Sequence, residues 1–155
     1  MQKPSVSPLR IISGGQTGVD RAALDCAIDL GLEHGGWCPQ GRRAEDGSIH
    51  PRYQLRETAD KDYAVRTRRN VEDSDGTLIL YRGSIEGGTE LTAQLADLLR
   101  KPLFIIDLDH TADAGTLKDW LIKCHIGTLN IAGPRESKQP GIYYQACTLL
   151  RRLLV

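Results

Sequence analysis

The sequence predicts an α/β domain in which a mainly parallel sheet is covered by helices on both faces. Three observations carry that expectation. The runs "GTLILY" (76–81), "PLFIIDL" (102–108) and "TLNIAG" (128–133) are short and almost continuously apolar, as strands buried on both faces are. Between them lie segments whose apolar residues recur at helical spacing. The strict alternation implies βαβ units, and right-handed crossovers would bring the strand-to-helix turns to one edge of the sheet. In open α/β sheets that carboxyl edge is where ligands bind.

Each element has its own warrant. Residues 1–8, MQKPSVSP, hold two prolines and two serines and read as a flexible leader, with 9–155 as the domain. Leu9, Ile11 and Ile12 make a short first strand. Val19, Ala23, Cys26, Ala27 and Leu30 then share a helix face until Gly31 ends the pattern. Residues 32–58 carry no clear period; a very short strand near Trp37 leads into an irregular excursion, and so long an excursion is usually functional or mobile. A helix is expected from about Asp60 to Asp73, with Tyr63, Thr67, Asn70 and Val71 on one face. Arg66, Arg69, Asn70 and Asp73 form an overlapping polar stripe.

After the strand at 76–81, Leu91, Leu95, Leu98 and Leu99 mark an amphipathic helix. Beyond the strand at 102–108, Thr116 and Asp119 suggest a capping box over a helix that buries Leu117, Trp120, Leu121 and Cys124. A last strand at 128–133 precedes a helix with Tyr143, Cys147, Leu150 and Leu154 on its inner face.

The 155 residues suit one domain of ordinary size, and twenty basic residues balance twenty acidic ones. That balance argues against a generic nucleic-acid binder. Fourteen of the basic residues are arginine, and Arg42, Arg43, Arg52, Arg56, Arg66, Arg68 and Arg69 fall together. The planar guanidinium fork suits phosphate, although the acids interleaved with this run also fit a salt-bridged surface. Cys26, Cys38, Cys124 and Cys147 have neither metal-ligand nor redox spacing. Three sit at apolar helix positions and read as core, while Cys38 at a strand end reads as a small buried thiol more readily than as one facing the ligand edge. No apolar stretch resembles a signal peptide or a membrane span, so a cytoplasmic protein with no membrane partner is expected.

Three turns at the predicted carboxyl edge bear the functional signal. The first is Gly14, Gly15, Gln16, Thr17 and Gly18, with Arg21 just beyond it. The second centres on Gly87, Gly88 and Thr89, and the third on Gly133 and Arg135. The first two open helices, where free N–H groups and the helix dipole favour an anion. Glycine also closes tight corners without any ligand, and Asp20 would stabilise a helix terminus as readily as bind one. None of the turns is a Walker A loop or a G-x-G-x-x-G fingerprint. The excursion at 35–53 should form part of the site wall through Arg42 and Arg43. No nucleophile elbow and no paired histidines are present, so neither catalytic residues nor a metal of the protein's own are expected.

The stretches "GGQTGVDRAALD", "HGGWCPQGRRAEDG", "RTRRNVEDSDGTLI", "GGTELT" and "LNIAGPRES" followed by "PGIY" resemble the molybdenum-cofactor carrier family. That family lies within the Rossmann-like ligand-binding superfamily, called SLOG, that also holds the lysine-decarboxylase-like phosphoribohydrolases. The resemblance implies a Rossmann-like three-layer fold, a homo-oligomer, often a tetramer, and a small anionic ligand. It implies molybdenum cofactor (molybdopterin) as cargo and a carrier rather than an enzyme. A nucleotide-derivative sensor and a nucleotide N-glycosidase are the alternatives. The hydrolase motif P-G-G-x-G-T-x-x-E is matched only at its centre, by Gly87-Gly88-Thr89. Thr92 stands where its Glu belongs, with Glu86 and Glu90 nearby.

Overall fold

The computed structural model describes residues 9–110 and 113–154; the expected leader at 1–8 lies outside the described residues. The chain opens with β1 (Arg10–Ile12), α1 (Val19–Asp29) and β2 (Glu33–Gly35). The excursion follows as four two-residue strands, β3 (Trp37–Cys38), β4 (Arg43–Ala44), β5 (Gly47–Ser48) and β6 (Arg56–Glu57). Next come α2 (Tyr63–Glu72), β7 (Gly76–Tyr81), α3 (Gly87–Leu98) and β8 (Leu103–Asp107). The chain ends in α4 (Ala114–Lys123), β9 (Thr128–Ala132) and α5 (Ile142–Leu153).

Five strands form one sheet in the order β2-β1-β9-β7-β8, and every pairing in it is parallel. The chain steps outward from β1 to β2 and, in the other direction, from β7 to β8; β9 returns to the middle. The carboxyl ends of β1, β9 and β7 therefore flank the place where strand order reverses, the position at which α/β sheets form a crevice.

Burial explains why these strands are so apolar. Ile11, Leu78, Leu80, Leu129 and Ile131 are fully buried and pack with the inner faces of α1 and α5. Each such side chain contributes roughly 2 kcal/mol by leaving water. On the other face α2 packs against α3, where Val71, Leu95 and Ala96 form a smaller cluster. All three layers of the expected α/β arrangement are present.

Three local readings are corrected. The central-sheet strand after α1 is Glu33–Gly35, whereas Trp37–Cys38 pairs with Arg56–Glu57 in a separate ladder. The excursion is thus pinned by two small ladders and by Tyr53, whose hydroxyl donates to Asp25 Oδ1 at 2.6 Å. Burial and that carboxylate push the Tyr53 hydroxyl up to about 12. Finally, α4 is capped by Asp113, which accepts from Gly115 N at 2.8 Å, and not by Thr116, whose hydroxyl donates to Asp113.

Candidate functional site

A cleft of about 510 Å³ lies at the carboxyl ends of β1, β9 and β7. Its back wall is Gln16, Asp20 and Gly133; its sides are Tyr63 and Arg66 from α2 and Gly87 to Thr89 from α3. Arg135 and Lys138 close it from the third turn. Three cations therefore face two carboxylates, those of Asp20 and Glu86.

The turns that build this cleft differ in one decisive respect, the space around their glycines. A β-carbon at Gly14 would collide with the Arg66 guanidinium, and one at Gly15 with Leu55. At Gly18, where φ is +80°, it would meet the Pro134 carbonyl and stand 2.8 Å from Glu136 N. At Gly133 it would strike the Leu80 carbonyl and Val19. These glycines let chain pack on chain. At Gly87 and Gly88 nothing among the described residues lies within 4 Å of the same position. Gly87, with φ +55°, has a backbone reason to be glycine; Gly88 lies in open space with no such reason.

The helix termini repeat the contrast. At α1, Val19 N donates to the Pro134 carbonyl at 3.3 Å. At α5, Glu136 accepts from Gly141 N at 2.8 Å and Tyr143 N at 3.0 Å. At α3, Thr89 N and Glu90 N reach the Glu86 carbonyl, while Gly87 N and Gly88 N find no acceptor among the described residues. An exposed terminus with two free N–H groups attracts an anion.

Asp20 is buried behind the first turn. Its Oδ2 accepts from Gln16 N at 3.4 Å and from Arg66 Nη1 at 3.2 Å. Burial raises its pKa above the ordinary carboxyl value, against the pull of Arg66, the Gln16 N–H and Arg21. Gln16 Nε2 donates to the Arg43 carbonyl at 2.7 Å. Gln16 Oε1 and Arg66 Nε, both on cleft-lining side chains, are buried without a partner among the described residues.

Of the residues singled out in the sequence, Gln16, Gly87, Gly88, Thr89, Gly133 and Arg135 meet at the cleft. Gly14, Gly15, Thr17, Gly18, Arg21 and Arg42 do not line it. Arg21 holds the first turn from behind: it donates to the Gly15 carbonyl at 3.0 Å and pairs with Asp46 at 2.9 Å. Arg42 is turned into the excursion, where its guanidinium donates to the carbonyls of Ile49, His50, Tyr53 and Leu55. Residues 35–53, expected as part of the site wall, lie directly behind the first turn and do not line the cleft. Glu45 joins that backing to the third turn, accepting from Thr17 Oγ1 and Ser137 Oγ, and from Ser137 N at 3.2 Å.

Sequence reasoning missed Tyr63, Arg66 and Lys138. Of the seven clustered arginines Arg66 alone lines the cleft; Arg68 pairs with Glu72, and Arg56 and Arg69 lie over the Trp37 ring. The polar stripe on α2 was the available signal.

Residues 11–154 match the Circularly permutated YpsA SLOG family. The chain belongs to that family. Among solved structures, this SLOG chain is similar to a "Putative molybdenum carrier protein" from Syntrophus aciditrophicus SB. The two share 49% sequence identity over 96% of each chain, with a TM-score of 0.92. No curated protein matches it. The cleft of this SLOG domain is thus carried on the Rossmann-like fold that the resemblance implied. Among the described residues no helix is long and apolar enough to cross a membrane, and no group of three acidic, His or Cys side chains is placed to hold a metal.

Proposed function

We propose that this protein binds and carries a phosphate-bearing small molecule, with molybdenum cofactor as its cargo. The observation that carries the reading is the open start of α3, where Gly87 and Gly88 offer free N–H groups and unoccupied space. A phosphate there would be steadied by Arg135 and Lys138 across the cleft. The cleft volume lies in the range that encloses a cofactor-sized molecule. None of the described residues lining it is Cys or His, so the protein would grip the cargo by phosphate and ring and leave the metal uncoordinated. The first turn, with Arg21 and Arg42 behind it, serves as the rigid back of the site.

The test is native mass spectrometry of gently purified protein, with phosphorus and molybdenum analysis of whatever travels with it. A phosphate-bearing adduct with molybdenum is the expected result, on a homo-oligomer, with a tetramer expected from the resemblance. A phosphate-bearing adduct without the metal would move the reading to a nucleotide-derivative sensor. A bare chain that also fails to bind ribose 5-phosphate in calorimetry would overturn it. Glu86 lines the cleft, which favours nucleotide N-glycosidase as the competing reading. Release of free base from a nucleoside monophosphate would decide for that enzyme.

A further inference from the structure

The two ends of the cleft differ in chemistry. One end is the anion-seeking start of α3 with Arg135 and Lys138. At the other, Tyr63 is 41% exposed although it is the first residue of α2 and lines the cleft. Arg66, one turn further along, sets its guanidinium carbon 5.6 Å from the Tyr63 ring centroid. The guanidinium also occupies the space that the missing Gly14 side chain leaves. A flat, partly charged platform results, of the kind on which aromatic heterocycles stack.

Beside this platform stands an unmatched donor and acceptor. Gln16 is 2% exposed, and its Nε2 bond to the Arg43 carbonyl leaves Oε1 as the free end. Oε1 accepts nothing, and Arg66 Nε donates to nothing, among the described residues. Asp20 Oδ2 holds Gln16 N and Arg66 Nη1 together, so the two unmatched groups belong to neighbouring residues. Buried polar groups left unpaired cost free energy, and a ligand that pairs them recovers it.

We propose that this end is a ring subsite, and that it sets which phosphate-bearing molecule is accepted. A planar heterocycle stacks on Tyr63 and Arg66. Its edge N–H, present in pterins and guanine, donates to Gln16 Oε1. A rotation of the Gln16 side chain, of the kind common when a ligand enters, brings Oε1 to the ring edge. The phosphate of the same molecule then reaches Gly87 and Gly88. The inference rests on the proposed function and goes beyond it by naming the ligand's other half and the residues that read it.

Calorimetry with three probes tests it: ribose 5-phosphate, guanosine 5′-monophosphate, and the N1-methyl form of that nucleotide, whose edge N–H is blocked. The unaltered protein should bind the nucleotide at least about tenfold tighter than the sugar phosphate, the cost of the lost stack and edge contacts. The N1-methyl form should lose most of that gain. Tyr63→Ala should weaken the nucleotide about tenfold and leave ribose 5-phosphate within about twofold, while Tyr63→Phe keeps both affinities. Equal affinity for all three probes would overturn the ring subsite and leave the proposed function standing. Equal weakening of nucleotide and sugar phosphate by Tyr63→Ala would do the same, since it would make Tyr63 structural. If neither phosphate probe binds the unaltered protein, the proposed function falls and takes the subsite with it.

Discussion

The first and second glycine turns look alike in sequence and do opposite work. In the first, each glycine is a place where another part of the chain fits: Arg66 at Gly14, Leu55 at Gly15, the third turn at Gly18. In the second, Gly87 and Gly88 face empty space. The N-terminus of α1 meets the Pro134 carbonyl, whereas Gly87 N and Gly88 N at the start of α3 have no acceptor among the described residues. A glycine-rich turn at a helix start is therefore ambiguous until the occupant of each missing side chain is known. When the protein fills that space, the turn is a joint; when nothing does, it is available to a ligand.

The sharpest way to break this comparison is one alanine in each turn. Gly18→Ala adds a side chain at φ +80° against the Pro134 carbonyl. It should cost about 3–5 kcal/mol, combining a strained backbone with overpacking. A thermal melt should fall by about 10 °C or more, or the chain should fail to fold. A melt that does not move would mean that the turn is not a joint.

Gly88→Ala should do the reverse. Alanine is the better helix former by roughly 0.5–1 kcal/mol, so the melt should stay level or rise slightly. Affinity for ribose 5-phosphate should nevertheless drop about tenfold as the methyl group covers the free N–H groups. Unchanged affinity would move the anion site away from α3.

The smallest effect concerns the Glu45 link between excursion and third turn. Partial burial pushes the Glu45 carboxyl up, but hydrogen bonds from Ser137 and Thr17, with Arg135 beside them, outweigh it and hold it below its ordinary value. A depressed acid contributes stability above its unfolded pKa and loses it as pH falls through the folded one. Glu45→Gln should therefore cost about 1 kcal/mol at neutral pH. Melts of the two proteins should converge below the ordinary carboxylate range. A gap that persists under acid would show that the link does not depend on charge.

The strands were legible because burial on both faces leaves a continuous apolar run; "GTLILY" is β7 residue for residue. Glu33–Gly35 was not, since a three-residue edge strand with an exposed Glu carries no period. The α4 cap was misplaced because Asp113 and Thr116 are both capping residues, and only geometry shows which one holds the N–H. The site was legible where it depends on local chain, as at Gly87 to Thr89. It was not where it depends on distant neighbours. Arg42 and Arg66 are the same residue type in the same basic run, and the carbonyls around one and the glycine beneath the other decide which enters the cleft. No periodicity records that.

The contact between Gly14 and Arg66 also has a bearing on inheritance. The guanidinium occupies the volume that any other residue at position 14 would need, and it is held there by Asp20. A lineage that replaces this glycine must expel the arginine from its seat, toward the cleft it borders. A lineage that first shortens position 66 leaves room for a larger residue at 14. The two positions, 52 residues apart, thus behave as a single locus in which the order of mutations matters. The harm done at 14 should be relieved by a second change at 66, and by few changes elsewhere.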